Sequence, residues 1–207
     1  MTKNDLNLIG AFIDSKNPKA ELNYAYLGND GIYATDIRKV IKFNIPMLSL
    51  DLMLEKRVLK GFVSVLGKDD EASIDGFGYL RTPGIKMNCN TWNYDSEVKL
   101  PDYAKILEQN FVRHFVLETI DDLQFELSQR NCFIDDDKLY PIIQFAECTK
   151  FHIFYEEQKE IETETGFEKS SGIVKIVGKY STEDEVDIVK FVAVVMGRTF
   201  ESQAKEF

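Results

Sequence analysis

The stretch ELNYAYLGNDGIYATD, residues 21–36, constrains the fold of this chain more than any other. Leu22, Tyr24 and Tyr26 recur at every second position, and Ile32 and Tyr33 resume beyond a Gly-Asn-Asp-Gly turn. Period-two hydrophobicity around such a turn predicts a β-hairpin. RKVIKFNI (38–45) continues as a third strand, with Val40 and Phe43 imperfectly phased. An antiparallel sheet is therefore expected near the start of the chain, and the other segments are read as what covers or extends it.

NDLNLIGAFID (4–14) has the spacing of a short amphipathic helix through Leu6, Ile9, Phe12 and Ile13, with Asn4 or Asp5 as cap. Pro18 in SKNPK breaks it. LSLDLMLEKRVLKGF (48–62) reads as the main helix: Leu50, Leu54, Val58 and Phe62 sit four apart, and Leu52 and Leu59 widen the stripe. Ser49 or Asp51 would cap it, and Gly61 with Gly67 marks its exit. Residues 63–100 then read as short strands, FVSVLG, EASIDGFGYLRT, GIKMNCNTWNY and SEVKL, followed by a turn at LPDYAKIL. In the second half, ETIDDLQFELSQRN (118–131) predicts a helix and KLYPIIQFAECTKFHIFYEE (138–157) a strand–turn–strand pair. EEQKEIETETGFEKSSG reads as an exposed, mobile loop, and IVKIVGKY and VDIVKFVAVVMGRTF as strands, the last one buried. The order helix, polar break, strand, turn, strand thus recurs after about 120 residues as an architectural repeat. The second half shows no equivalent of the Leu-rich helix.

An apolar fraction of 44% with 12% aromatics belongs to a globular chain of 207 residues. No apolar run reaches the length of a membrane span, and the first thirteen residues do not resemble a secretory signal. Three widely spaced cysteines, Cys89, Cys132 and Cys148, argue against a disulfide framework and for a reducing, cytoplasmic setting. The net charge of −10 lies entirely in the second half: residues 1–105 hold 14 basic and 14 acidic residues, residues 106–207 hold 11 and 21. Only the first half could meet a polyanion.

Catalytic signatures are absent. His114 and His152, the only histidines, sit in apolar surroundings as core or sheet-face residues, and no serine or cysteine accompanies them in a nucleophile context. The Cys and His spacings match no zinc pattern. IDDDKLYPIIQFAE lacks the glycine and ligand ladder of a calcium loop, and GFGYLRTPG leads into no helix that could hold a phosphate. No metal or cofactor is expected. Asp36, in ATDIRK, reads as a turn-capping acid. Basic residues do concentrate: between 37 and 60, Arg38, Lys39, Lys42, Lys56, Arg57 and Lys60 face only Asp51 and Glu55. Lys56, Arg57 and Lys60 fall on one side of the expected helix, away from Leu50, Leu54 and Val58.

Four elements, in this order, resemble one domain of the bacterial DNA polymerase III beta sliding clamp: the first helix with its break from Lys16 to Lys19, the hairpin closing on DGIYATD, RKVIKFNIP followed by LDLMLEKRVLKGF, and VKLPDYAKIL. The resemblance implies an α+β fold with two helices packed on antiparallel sheets per unit, a clamp-like domain over 1–107 and a second, degenerate clamp-like unit over 108–207. It further implies a non-enzymatic DNA replication accessory protein that binds duplex DNA without sequence preference, or a mobile element's version of one. Inner-surface candidates are then Lys16, Lys19, Lys56, Arg57 and Lys60, with Arg38, Lys39 and Lys42 on or beside strands. Implied partners are duplex DNA, replication proteins or a clamp, and further copies of the chain in a homo-oligomer. Two features depart from the family. The chain has room for fewer than three domains, and the 118–131 helix carries Glu118, Asp121, Asp122 and Glu126 against Arg130 alone, a face that repels phosphate. These departures leave open a clamp-fold interaction module, or a modulator of a host clamp, that does not encircle DNA. An enzyme on an unfamiliar α+β fold is the third reading.

Overall fold

Alternating apolar residues build the first three strands where the hairpin pattern places them. The computed structural model describes residues 1–14, 16, 20–45, 52–75, 77–88, 102–158, 160–163, 166–169, 172–182 and 184–197. Helix α1 (Lys3–Ala11) precedes a short 3-10 turn, Ala20–Asn23. Strands β1 (Tyr24–Gly28), β2 (Gly31–Thr35), β3 (Lys39–Phe43) and β4 (Leu52–Glu55) follow, then α2 (Lys56–Val65). Next come β5 (Ser73–Ile74), β6 (Tyr79–Thr82), β7 (Ile85–Asn88) and α3 (Tyr103–Leu107). The second half runs β8 (Arg113–Leu117), α4 (Leu123–Ser128), α5 (Asp136–Phe145), β9 (Lys150–Glu156), β10 (Glu160–Thr163), β11 (Gly166–Lys169), β12 (Ile173–Ser181) and β13 (Asp187–Met196).

Eight strands form one sheet in the order β4-β1-β2-β3-β13-β12-β9-β8, antiparallel at every pairing. Four strands come from each half, and the seam is β3 against β13, with Phe43 opposite Phe191 and Ile41 opposite Ala193. Strands β5–β7 and β10–β11 make two smaller sheets. One face of the large sheet is covered by helices. α1 packs between α2 and α5, and α4 packs against α5. Leu27, Ile32, Ile41, Ile153, Ile176 and Phe191 meet Leu6, Ile9, Leu59, Phe62, Leu123 and Leu139 in a core that runs through both halves. On the reverse face, Tyr103 and Leu107 of α3 cover Val40 and Val194 at the seam.

Several expectations are corrected. α1 is capped by Thr2, whose hydroxyl accepts from the Asp5 amide while the Asp5 carboxylate accepts from the Thr2 amide; Asp5 is thus the third helical residue of a capping box. Leu52–Glu55 of the expected 48–62 helix is strand, paired to β1, and α2 begins only at Lys56 and continues through Val63–Val65, expected as strand. Residues 48–51, including the capping candidates Ser49 and Asp51, lie outside the described residues, as do SEVKL and much of GIKMNCNTWNY. The expected turn at 100–107 holds α3, capped by Asp102. The expected 138–157 strand pair is a helix and a strand, α5 and β9, so the second half does have a second helix. The expected loop after β9 forms the β10–β11 hairpin.

Candidate nucleic-acid interface

The first turn of α2 sets the position of the basic residues. Strand β4 delivers the chain in extended form to Glu55, which occupies the N-cap without a side-chain capping bond, and no acidic residue follows in the first turn. The leading amides and the positive end of the helix dipole are therefore left uncompensated by the helix itself. Arg57 extends into solvent at 86% exposure, its Nε 3.5 Å from Glu55. Lys60, one turn on, is exposed. Lys56 is half-buried and donates to the Ile13 carbonyl. Burial, then the neighbouring cations Lys60 and Lys39, hold its pKa below the ordinary lysine value.

Two concavities meet at this helix. One, of about 410 Å³, is lined by Asn23, Tyr24, Glu55, Lys56, Arg57 and Lys60. The other, of about 240 Å³, lies between α1 and α2 with Lys56 and Lys60 at its rim. Burial and then the Glu55 charge raise the Tyr24 pKa, so its phenol stays neutral beside the basic residues. Asn23 and Tyr24 were not singled out from sequence, because their approach to α2 depends on the β1–β4 pairing.

The other candidates are dispersed. Lys16 is exposed beyond α1, its amide bonded to Asp14 at 3.1 Å, and Lys19 lies outside the described residues. Arg38 is exposed at the β2–β3 turn. Lys39 is 8% exposed, 3.5 Å from Asp36 and 5.2 Å from the centre of the Phe12 ring. Lys42 points to the opposite face of the sheet, 2.6 Å from Asp30. Asp30 also accepts from the Tyr33 hydroxyl at 2.7 Å; these two bonds, Lys42 first, lower its pKa. Asp36 accepts from the amides of Arg38 and Lys39 at 3.1 and 3.0 Å, the turn-capping role its sequence context predicts. The structure thus brings Lys56, Arg57 and Lys60 together on one helix and spends Lys39 and Lys42 in internal ion pairs.

The reactive side chains are set differently. His114 and His152 stack on the reverse face of β8 and β9, with Nε2 and Nδ1 3.1 Å apart. Cys132 and Cys148 have their thiol pKa values pushed up to about 12 by burial, which leaves them protonated and unreactive. Among the described residues no group of three or more His, Cys, Asp or Glu could hold a metal ion, and no helix is long and apolar enough to cross a membrane.

No protein-family model matches the sequence, and no curated protein is significantly similar to it. Solved structures do match. A Pseudomonas aeruginosa sliding clamp (DNA polymerase III subunit beta) superposes with a TM-score of 0.59 at 10% identity, covering 97% of this chain and 64% of that one. The Helicobacter pylori beta clamp bound to a DNA ligase peptide gives 0.57 at 13% identity over 96% and 63%. The beta chain of Streptococcus pneumoniae DNA polymerase III gives 0.58 at 10% identity over 96% and 64%. At these identities the likeness is one of fold, and this chain spans a little under two thirds of each clamp. Antiparallel sheets with α1, α2, α4 and α5 on one face of the largest, in this order and over nearly the whole chain, make it an α+β protein with the fold of the bacterial DNA polymerase III beta sliding clamps.

Proposed function

We propose that this chain is a non-enzymatic DNA replication accessory protein that meets duplex DNA through the basic end of its helical layer. The observation that carries the reading is the position of Arg57 and Lys60: both are exposed, Arg57 in the first turn of a helix whose N-cap makes no side-chain bond and Lys60 one turn on, on the layer that covers a clamp-type sheet. Cations at a helix start suit phosphate and carry no sequence information. Lys56 supports the site by holding α2 to the end of α1, and Lys16 extends the basic surface. Arg38, Lys39 and Lys42 contribute less: Arg38 stands apart at the β2–β3 turn, Lys39 is buried beside Asp36, and Lys42 is paired with Asp30 on the opposite face of the sheet. Residues 1–107 and 108–207 correspond, in this reading, to two clamp-like units.

The test is fluorescence anisotropy on a labelled duplex across a salt series. Binding at low salt that weakens steeply as salt rises is expected, and Arg57→Glu with Lys60→Glu lowers affinity about ten-fold or more with a shallower salt slope. No binding to duplex at low salt overturns the proposal.

The acidic surface of α4 and α5 favours a second reading, a clamp-fold interaction module that does not encircle DNA. Peptide binding by a clamp, as in the Helicobacter pylori complex with a DNA ligase peptide, is the model for such a role. Recovery of a replication protein or a clamp by the purified chain, with DNA digested away, separates the two.

A further inference from the structure

A five-residue pattern occurs twice in the helical layer of the second half. DDLQF (121–125) leads into α4, and DDKLY (136–140) opens α5. In each, two aspartates stand one helical turn ahead of an aromatic ring. Phe125 is 62% exposed and Tyr140 59%, and all four aspartates are exposed with them. The Gln124 side chain donates to Asp136, which ties α4 to α5 at this face. Phe133, in the connection between the helices, is a third exposed ring. Aspartates here also suit the positive starts of their helices. That accounts for the acids but not for three aromatic rings left in water beside them.

The charge of the face calls for a cation. Residues 118–147 hold eight acidic residues against two basic ones. Both bases are engaged: Arg130 with Glu126, and Lys138 with Asp135 at 3.1 Å and the Met196 carbonyl at 3.0 Å. The rings narrow the choice of cation. A planar guanidinium stacks on a ring and pairs with a carboxylate through its edge, a combination that an ammonium matches less well. The chain holds one of its own arginines in this manner: the Arg130 guanidinium lies 4.2 Å over the centre of the Phe115 ring and donates to the Glu126 carboxylate.

We propose that the α4–α5 face binds an arginine-bearing segment of a partner protein. One guanidinium stacks on Phe125 against Asp121 and Asp122, and another on Tyr140 against Asp136 and Asp137. The proposal names the partner class of the interaction-module reading and rests on that reading. Its carboxylates repel phosphate, so this face takes protein and not DNA. α1 lies between α5 and α2, so docking here leaves Arg57 and Lys60 uncovered.

Fluorescence anisotropy with labelled Gly-Ser peptides carrying four arginines, or four lysines in their place, decides it. At low salt the arginine peptide is expected to bind about ten-fold more tightly than the lysine peptide. Phe125→Leu/Tyr140→Leu keeps the charge and is expected to bring the arginine peptide down to the lysine level. Asp121→Asn/Asp137→Asn is expected to weaken both peptides. Asp69→Asn/Glu71→Gln, the same loss of charge at an exposed site between α2 and β5, is expected to leave them unchanged. Circular dichroism checks the fold of each variant. Equal affinity for the two peptides, or an equal loss in the remote pair, means attraction by net charge alone and overturns the proposal. Peptide binding that falls as the chain's own concentration rises also overturns it, since a second copy then occupies the face. A replication protein or clamp recovered undiminished by Phe125→Leu/Tyr140→Leu overturns this face and leaves the interaction-module reading standing. Arginine-selective binding with neither recovered overturns that reading's choice of partners and not the face.

Discussion

Ile37 holds φ at 78° in the turn between β2 and β3, a left-handed conformation that crowds a β-branched side chain. It is 55% exposed, so no core packing offsets the strain. Ile37→Asn keeps the backbone bond from the Ile37 amide to the Thr35 hydroxyl and relieves the crowding. Urea unfolding is expected to show a gain of about 1 kcal/mol. His152 acts in the opposite direction. Burial first, then Lys179 and His114, lower its pKa, with Lys150 adding to this and Asp187 opposing it, and its Nε2 is buried without a partner. The unfolded chain therefore takes up this proton before the folded one does. The stability His152 contributes is complete above the unfolded value of about 6.5 and declines as pH falls below it. Unfolding at pH 7.5 and 5.5 should show that loss, and His152→Gln should shrink it. Asp36 shows how much one residue discloses: its role in the turn was legible because an Asx turn is local, while the burial of Lys39 beside it was not, because that depends on where α1 packs.

Elements built from a single period were legible in the sequence; elements that satisfy two periods were not. The β1–β2 hairpin falls where alternation places it, and β3, β12 and β13 fall in the segments read as strands, β3 despite its imperfect phase and β13 from its apolar run. Leu48, Leu50, Leu52 and Leu54 are spaced by two, and spacing by two is also spacing by four. The spacing thus fits a helix stripe and a buried strand alike, and for Leu52 and Leu54 pairing with β1 decides for strand. α5 was hidden by Pro141 at its sixth position, where a proline removes one helical hydrogen bond. Asp136 and Asp137 in its first turn, with Leu139 and Ile142 spaced for one face, were the signal available. The capping box of α1 gives the expected outcome at this scale: Thr2→Ala costs about 1 kcal/mol, measured by thermal unfolding, because it leaves the Asp5 amide without its acceptor. Phe62→Ala in α2 costs about 3–5 kcal/mol, since the ring is fully buried.

Across the whole molecule the seam between β3 and β13 determines how the halves behave. Phe43 and Phe191 stack at 5.8 Å there, both in the core, and α3 seals the reverse side through Tyr103. Phe191→Ala is expected to cost about 3–5 kcal/mol. Hydrogen exchange should show amides of β1–β3 and of β9–β12 losing protection together. Protection lost in one half alone would mean that the seam does not couple them. This coupling was the least legible feature, because nothing local in VDIVKFVAVVM names β3 as its neighbour.

The placement of α1 sets the tempo of folding. Its carboxylate Asp5 lies 2.8 Å from Lys190 on β13, and the side chains of Thr2 and Asn4 donate to Glu147. A nine-residue helix is marginal on its own, so its surroundings are completed only when a strand more than 170 residues away along the chain arrives. Chain closure over such a span is slow and leaves apolar surface open meanwhile. Refolding is therefore expected to be slower than for a helical bundle of this size, and a chain stopped before β13 should be captured by chaperones rather than settle.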